Sequence, residues 1–294
     1  MISSGIVPKD AAIVMKLRHF LQNQIREDGR SFFDCRNVNI RQHLYSSTPK
    51  KGFVSVHGSS HIQMGGTIVI CGVNVLVGVP SNMIPDCGDL VFNVSLHPMA
   101  AIKYDQRNKS DDAYDLENFL KTVLVSDHVI DLSQLCVVKG KLAFRLEVHI
   151  SVLCNRGNLR DAILLAAVTA LQDTTLPEPD LSRADIVFTC ESSRALQLKA
   201  LPISITVAWF ENCWLVDPSD LEEAAVQSHS TYSTNTPSSG AALITCVFCR
   251  QSQSLLHMQQ NASSVGISAE RMMEAIGVCQ LASSRLTQQL LVSS

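Results

Sequence analysis

Residues 152–162, V-L-C-N-R-G-N-L-R-D-A, place a glycine turn between two apolar segments of different periodicity. The segment before the turn alternates apolar and polar residues as a strand does, and the segment after it is apolar at most positions, as in a buried helix. A strand, a glycine turn and a helix start together present backbone N–H groups to an anion, which is a common way to bind phosphate. The pattern therefore makes the turn at Gly157 a candidate phosphate site.

Cysteines and histidines form two further candidate groups. Cys246 and Cys249 make the only C-x-x-C of the chain, but zinc needs a second ligand pair at matched spacing, so we interpret both as core cysteines. His57 and His61 are close in sequence, and Gly58 between them favours a hairpin turn that both side chains decorate. The ten cysteines follow no regular spacing, which favours reduced thiols in a cytosolic or nuclear protein. We therefore predict no metal site and no cofactor.

Serines and acidic residues complete the set of groups capable of chemistry. Ser59 and Ser60 have neither a G-x-S-x-G context nor a recognisable base, so no nucleophile is predicted there. An acidic group follows residue 216 and consists of Asp217, Asp220, Glu222 and Glu223. Carboxylates of this kind fit a Mg²⁺ site, and they fit an exposed turn before a helix or loop equally well. Both interpretations stay open at the level of sequence.

The elements that position these groups follow from periodicity. Residues 141–153 alternate strictly, with apolar residues from Leu142 to Val152 on one side, which predicts a strand with one buried face. Residues 161–172 are apolar almost all round, which predicts a buried helix. The polar Ser/Thr run 227–240 is predicted as a loop. Further strands are expected at 35–41, 53–57, 67–79, 203–210, 213–216 and 241–249, and further helices at 10–25 with Asp10 as cap, 113–126, and 268–290 with Ser268 as cap.

The order of strands and helices predicts an α+β protein with two similar halves. We expect the first half at residues 1–180, with a helical N-terminal extension at 10–25, and the second at 195–294. Residues 62–85 carry no charge, but their densest apolar run, 67–79, is shorter than the about 20 residues of a membrane-spanning helix and contains two glycines, so buried strands are expected. The N-terminus lacks the pattern of a signal peptide.

Composition indicates a subunit of an oligomer. The chain of 294 residues is 46% hydrophobic and only 17% charged, with a mean hydropathy of +0.14, so it has few charges for a free-standing surface. Its formal net charge is −3, from 24 Lys and Arg against 27 Asp and Glu. No global basic field exists to attract nucleic acid, so any such contact must be local.

Several motifs, in order, resemble those of the RNase PH family. They are R-E-D-G-R at 26–30, Arg36, H-G-S-S-H-I-Q-M-G-G-T-I-V-I-C-G-V at 57–73, L-C-V-V-K-G-K-L-A-F-R-L at 135–146, G-N-L-R-D-A-I-L-L-A-A-V-T-A-L at 157–171, L-P-E-P at 176–179 and L-V-D-P-S-D-L-E-E at 215–223. The resemblance covers most of residues 20–290 and implies an RNase PH-like fold. Within the family the chain is most similar to the non-catalytic ring subunits of the eukaryotic RNA exosome.

That resemblance implies a set of partners and a location. Six RNase PH-like proteins form the ring as three heterodimers, S1/KH-type RNA-binding subunits cap it, and RNA threads its channel towards a separate nuclease. The expected role is therefore structural, in RNA processing and degradation, in the nucleus (including the nucleolus) and the cytoplasm.

The resemblance also implies that catalysis is lost. Catalytic members use phosphate to cleave the 3′ end of RNA and carry G-[ST]-R-[TS] in the turn, where the Arg holds phosphate. Leu159 stands at that position, and Arg160 follows about 100° further round a helix. Asn118 and Thr122 stand where the family has a second pair of arginines, and the region of the catalytic Asp is the uncharged run 227–240. We therefore predict no catalytic residues; an active phosphate-dependent 3′–5′ exoribonuclease with a degenerate motif is the alternative.

A local basic segment is the candidate RNA contact. Its cationic residues are Lys103, Arg107 and Lys109, and Tyr104 is available to stack on a base. The alternative is a solvated loop whose charges are offset by Asp105, Asp111 and Asp112.

Overall fold

The computed structural model of the chain describes residues 9–44, 56–81, 83–100, 110–126, 128–180, 187–232, 241–263 and 267–292. Its helices are α1 (Lys9–Gln22), α2 (Asp111–Leu124), α3 (Leu159–Gln172), α4 (Asp220–Tyr232) and α5 (Ala269–Val292), with a short 3₁₀ helix at Leu132–Leu135. Its strands are β1 (Val38–Gln42), β2 (Gly58–Met64), β3 (Thr67–Gly78), β4 (Asp89–Leu96), β5 (Cys136–Val138), β6 (Leu142–Cys154), β7 (Thr175–Asp180), β8 (Val187–Ala195), β9 (Pro202–Phe210), β10 (Cys213–Val216), β11 (Ala241–Cys249) and β12 (Leu255–Ser263). The expected α+β class is confirmed.

The chain separates into two packing units. The first contains the described residues within 1–37, 156–161 and 203–294, and the second those within 38–155 and 162–202. This division differs from the halves at 1–180 and 195–294 drawn from the sequence, which stay a prediction. In the described part of the chain no helix is long and apolar enough to cross a membrane.

The first unit is built on a four-stranded sheet in the order β10-β9-β11-β12. Strands β9 and β11 are buried at every position, as expected for central strands. Helix α1 joins this unit because its residues Val14, Leu17 and Leu21, at helical spacing, form one apolar stripe. The stripe packs into a core with Ala208, Phe210, Leu215, Ala225, Val226, Ala241 and Leu243.

Both ends of α1 differ from the predicted bounds of 10–25. The helix begins at Lys9, so Asp10 lies within it and is not its cap. It ends at Gln22, since Gln24 adopts a positive φ of 55° and the N–H groups of Gln24 and Ile25 donate to the carbonyls of Leu21 and Phe20. These two bonds satisfy the carbonyls at the helix end, and they stop it before residue 25.

The second unit is built on a six-stranded sheet in the order β1-β2-β3-β6-β4, with β5 also paired to β6. Strand β4 pairs with β6 in parallel, whereas β1 with β2, β2 with β3, β3 with β6 and β5 with β6 pair antiparallel. Strand β6 shows the predicted alternation: Phe144, Leu146 and Val148 are buried, whereas Arg145 and His149 are exposed. Strands β7 and β8 form a separate two-stranded sheet of this unit.

The predicted hairpin turn around Gly58 is wrong. Strand β2 starts at Gly58 and runs to Met64, so His61 lies within a strand, and the hairpin turn follows at Gly65, whose φ is 55°. Gly58 serves packing instead: a Cβ there would lie 2.3 Å from Thr174 Oγ1 and 2.4 Å from the carbonyl oxygen of Ala170. A glycine can therefore mark a close approach of backbone as well as a turn.

The predicted loop at 227–240 is also wrong where it is described. Helix α4 continues to Tyr232 because residues 220–232 contain neither Gly nor Pro, and Ala225 and Val226 give it a buried side. Residues 233–240 lie outside the described residues, as does most of the strand predicted at 53–57. The remaining predicted strands and helices are confirmed, within one to three residues at their ends.

Candidate anion-binding turn

The glycine turn of residues 156–161 has the backbone that a phosphate-type turn requires. Gly157 and Asn158 adopt positive φ angles of 89° and 51°, and α3 begins at Leu159. A Cβ at Gly157 would lie 2.4 Å from the backbone nitrogen of Asp220 and 2.4 Å from the carbonyl carbon of Ser219. Only glycine fits this approach, so the turn packs directly on the backbone that opens α4.

The polar groups of Asn158 bind carboxylates of the chain. Its backbone N–H donates to Glu223 Oε1 at 2.8 Å. Its side-chain amide donates to Asp161 Oδ2 and to Asp217 Oδ1, each at 2.7 Å. Asp161 accepts two further bonds, from the backbone N–H of Thr206 at 2.8 Å and from its hydroxyl at 2.9 Å. The turn does bind anions, and the anions are side chains of the protein itself.

Arg36 binds both the backbone carbonyls of the turn and the carboxylate of Asp217. Its guanidinium binds Asp217 through two bonds, Nε to Oδ2 at 2.8 Å and Nη2 to Oδ1 at 2.7 Å. The same group donates to the carbonyl of Arg156 at 2.9 Å and to that of Gly157 at 3.1 Å. One guanidinium therefore joins the N-terminal segment, the turn and the start of α4. Such bidentate, charge-assisted bonds are among the stronger polar contacts in proteins.

Arg26 and Arg30 extend this arrangement. The side chain of Arg26 is 0% exposed and binds both oxygens of Glu222, at 2.9 and 2.6 Å. It also donates to the carbonyls of Val216 and Asp217, at 2.9 and 3.0 Å. Arg30 donates to Asp217 Oδ2 at 3.1 Å. We call the set the arginine–carboxylate network; its members are Arg26, Arg30, Arg36, Asn158, Asp161, Asp217, Glu222 and Glu223.

Burial shifts the pKa values of several carboxyl groups in the network. Its three guanidinium groups face four carboxyls. Burial raises the pKa of Glu223 to about 7, although the N–H of Asn158 and the charge of Arg36 oppose the shift. Burial likewise raises the pKa of Asp161 to about 6. Burial also acts on Asp217, but the bond and charge of Arg36 outweigh it and lower its pKa.

The structure decides the two interpretations of the acidic group after residue 216. Asp217 and Glu222 are each 2% exposed and bound to arginines, so the exposed-turn interpretation is wrong for them. Asp220 is exposed, and its carboxylate lies 3.6 Å from Arg156. In the described residues no group of three His, Cys, Asp or Glu side chains is arranged to hold a metal ion. Within the acidic group, Asp217 and Glu222 are therefore structural partners of buried arginines.

The other positions singled out in the sequence lie as follows. Leu159 is nearly buried at the first position of α3 and brings no charge to the turn. Asn118 and Thr122 lie one turn apart on the exposed side of α2, where the Thr122 hydroxyl donates to the Asn118 carbonyl at 2.8 Å. Cys246 and Cys249 are buried in β11, as core cysteines are. Lys103, Tyr104, Arg107 and Lys109 lie outside the described residues.

The roles of Arg26, Arg30 and Arg36 did not follow from the sequence. Each lies among polar residues, in a segment with no periodicity, and each pairs with a residue more than 150 positions away. The available signal was the joint presence of R-E-D-G-R and D-P-S-D-L-E-E. Matching charges in distant segments suggest such pairing without specifying it.

Comparisons with known proteins define the class. Residues 34–177 match domain 1 of the 3′ exoribonuclease (RNase PH) family. The chain is 30% identical over 222 residues to the exosome complex component Rrp42 of Thermococcus gammatolerans, which covers 75% of this chain and 78% of that protein. The chain therefore belongs to the RNase PH family.

Further similarities agree with this assignment. The chain is 29% identical over 203 residues to the exosome complex component Rrp42 of Methanothermobacter thermautotrophicus, covering 69% of this chain and 72% of that protein. A solved structure of the Archaeoglobus fulgidus exosome with RNA bound to the active site contains a chain that matches with a TM-score of 0.78 at 23% identity, over 96% of this chain and 98% of that one. An archaeal exosome core matches with a TM-score of 0.73. These two likenesses confirm the RNase PH-like fold.

Proposed function

We propose that the chain is a non-catalytic structural subunit of an exosome core ring, where it completes the ring and helps to line the RNA channel in 3′–5′ RNA processing and degradation. The proposal is supported by the relatives, which are named exosome components, and by the fold shared with exosome core structures. Two pieces of sequence, at 135–142 and 157–162, favour the ring position of exosome component 8, with components 7 and 9 as alternatives.

The non-catalytic part of the proposal rests on the contacts that the residues of the glycine turn make. The side chain of Leu159 offers phosphate neither charge nor donor, and the side-chain amide of Asn158 is bound to Asp161 and Asp217. The arginines of the network are bound to Asp217 and Glu222. Releasing a buried guanidinium to bind phosphate would leave a carboxylate buried and unpaired, at a cost of about 3–5 kcal/mol. The network therefore favours a turn that is preserved as structure and does not bind substrate.

A phosphorolysis assay tests this. Purified chain is incubated with uniformly labelled single-stranded RNA over a range of phosphate concentrations, and the released nucleoside diphosphates and the RNA length are measured. We expect none at any phosphate concentration. Leu159→Arg serves as a matched variant and should also stay inactive, because Asn118 and Thr122 still leave the second pair of arginines absent. Phosphate-dependent shortening that survives purification and disappears in Arg160→Ala would instead establish the active exoribonuclease.

The proposed partners are other RNase PH-like ring subunits, S1/KH cap subunits, RNA and an associated nuclease, in the nucleus and the cytoplasm. A chain with 17% charged residues is expected to bury part of its surface against neighbours. Alone it should associate with itself or precipitate, and co-expression with an active-type RNase PH-like paralogue should restore solubility. A monodisperse, stable monomer at high concentration would contradict the need for partners.

We further propose Lys103, Tyr104, Arg107 and Lys109 as the RNA contact. Removing one cation that binds a phosphate of single-stranded RNA should flatten the salt dependence of binding by about 0.7 in the log–log slope. The measurement is RNA affinity of the assembled ring against salt, for wild type and for the triple variant Lys103→Ala/Arg107→Ala/Lys109→Ala. The control variant Lys16→Ala/Lys139→Ala removes exposed cations elsewhere. An unchanged slope in the triple variant, with the ring intact, would assign these residues to a solvated loop.

A further inference from the structure

The outward face of α5 carries no charge from its second turn to its end. At 100° per residue, Met273, Gly277, Leu281, Gln288 and Leu291 fall within an arc of about 80°. All five are exposed, and the three large apolar side chains among them are 64–69% exposed, whereas Ser284, which falls in the same arc, is half-buried and donates to Gln253 Oε1 at 3.2 Å. The opposite side of the helix is buried and consists of Ala275, Cys279, Ala282, Leu286 and Leu290. The helix therefore has an inner apolar face that is buried and an outer, largely apolar face that is exposed.

Gly277 lies in the middle of this outer face and has no role inside the described chain. Glycine within a helix costs about 0.5–1 kcal/mol relative to alanine. Its φ is not in the left-handed region, and no described atom lies within 4 Å of the position a Cβ would occupy. Neither a turn nor a close internal contact explains it. A glycine on an exposed helix face leaves room for a bulky side chain of a molecule that packs against it from outside.

Two charged residues border the face on one edge. Glu274 and Arg285 lie at about 100° and 120° from Met273, roughly three helical turns apart. Each makes a weak contact within the described chain: the Trp214 indole N–H donates to Glu274 at 3.4 Å, and Arg285 lies 3.6 Å from Asp34. The Arg285–Asp34 pair is exposed and contributes at most about 1 kcal/mol. The Glu274 side chain is exposed apart from its long bond to Trp214, so both groups can bind another partner.

We propose that two copies of the chain pair through this face, with their α5 helices antiparallel about a two-fold axis near Cys279 and Gln280. In this arrangement Glu274 of each copy lies beside Arg285 of the other, because both border the same edge of the face. Leu281 of each copy lies over Gly277 of the other, where the missing side chain leaves room. A closed symmetric contact requires such self-complementarity. The inference is independent of the ring function proposed above.

The size of the face sets the strength of the pairing. From Met273 to Leu291 the strip is about 27 Å long and about 10 Å wide, which gives about 300 Å² per copy. Stable protein–protein contacts bury about 800 Å² per partner. The dimer is therefore weak and reversible, and we expect half-association at tens to hundreds of micromolar.

Sedimentation of the chain co-expressed with an RNase PH-like paralogue, which keeps it soluble, tests the pairing from about 5 to 500 µM. Leu281→Arg and Gly277→Leu should each weaken association by at least about tenfold, because they place a charge or a side chain in the contact. Met15→Arg, on an exposed position of α1, is the control and should associate like wild type. Glu274→Arg or Arg285→Glu alone should weaken it about tenfold, and the two together should restore it to within about threefold. Thermal unfolding of each variant shows that the fold is kept.

Cysteine crosslinking tests the orientation. Gln280→Cys lies beside the axis and should give a crosslinked dimer under mild oxidation, whereas Gln288→Cys, far from its symmetry mate, should not. Wild type on the same non-reducing gel accounts for the native cysteines. Crosslinking at both positions would indicate a parallel pair and overturn the arrangement. A wild-type complex that shows no further association at about 500 µM would overturn the second copy as occupant.

Discussion

Strand β6 and the glycine turn at residues 156–161 differ in what holds them in place. The strand places apolar side chains such as Leu146 and Val148 on a buried face, so its position depends on the removal of apolar surface from water. The turn depends on charged groups that are themselves buried, chiefly Arg36 and Asp217. The strand should tolerate changes on its exposed side, whereas the backbone and side-chain N–H groups of Asn158 in the turn each have specific carboxylate partners. A region built from buried ion pairs should therefore be less tolerant of single changes than a region built from packing.

The largest expected effect follows from breaking one buried ion pair of the network. Arg26→Met leaves Glu222 buried without its cation and should lower the free energy of unfolding by about 3–5 kcal/mol. The matched control is Lys16→Met, which breaks an exposed pair with Glu27 and should change stability by less than about 1 kcal/mol. Urea unfolding of both variants measures the difference. Equal losses in the two variants would show that burial does not distinguish these pairs.

Alanine substitutions in β6 should lower the free energy of unfolding by amounts that overlap this range on the buried face of the strand. On its exposed face the losses should be small. Phe144→Ala should cost about 3–5 kcal/mol and Leu146→Ala about 2–5 kcal/mol, because both side chains are fully buried. Leu142→Ala should cost less, since Leu142 is only half-buried at the start of the strand. Arg145→Ala, on the exposed face, should stay within about 0.5 kcal/mol of wild type. A large loss at Arg145 would contradict the two-faced description of this strand.

The same contrast explains what could be predicted from the sequence. The alternation over residues 142–152 reports burial directly, because side chains in a strand point to opposite faces in turn. It therefore predicted both the strand and its buried side. The helix at α3 followed from an equally local pattern. Such elements depend on the order of apolar residues over ten to fifteen positions, and this order is visible in one chain.

The network and α4 were not predicted because their determinants are not local. Arg26 meets Glu222 across almost two hundred residues, and no periodicity encodes that pairing. The acidic residues at the start of α4 looked like a solvated turn because their cationic partners are distant. Because residues after 226 are polar, no pattern in the sequence indicated that α4 continues there. The helix is held by Ala225 and Val226, which are buried in the core of the first unit. The RNase PH-like fold was predicted from the resemblance to that family. The periodicity predicted individual strands and helices and the α+β class.

The pKa values of Glu223 and Asp161, which burial raises, predict an unusual pH dependence. Glu223 binds its proton more tightly in the folded chain, where its pKa is about 7, than in the unfolded chain, where the ordinary value is 4.5. Its contribution to stability is therefore fully present below pH 4.5 and is lost as the pH rises through 7. Asp161 acts in the same direction between 3.8 and about 6. The network should thus be more stable in mild acid than at pH 8.

Glu223→Gln isolates this effect, because glutamine keeps an acceptor for the Asn158 N–H and cannot ionise. Relative to this variant, wild type should lose about 2–3 kcal/mol of unfolding free energy between pH 5 and pH 8. Thermal unfolding at several pH values measures the difference, and Glu27→Gln, which changes an exposed carboxylate, is the control. Parallel curves for wild type and Glu223→Gln would show that Glu223 stays ionised throughout.

The smallest effect concerns the backbone of the turn and needs a comparison of two variants. Asn158→Gly and Asn158→Ala both remove the side-chain bonds to Asp161 and Asp217, so that loss is common to them. They differ because the φ of residue 158 is +51°, which glycine adopts freely and alanine does not. Asn158→Gly should therefore be more stable than Asn158→Ala by about 1 kcal/mol. The measurement is the difference between their urea midpoints at equal m-values.

If the alanine variant were as stable as the glycine variant or more stable, the turn would have relaxed to a negative φ once its carboxylate bonds were removed. That result would mean the network imposes the backbone conformation, and the conformation would then be a consequence of the ion pairs rather than a property of the turn.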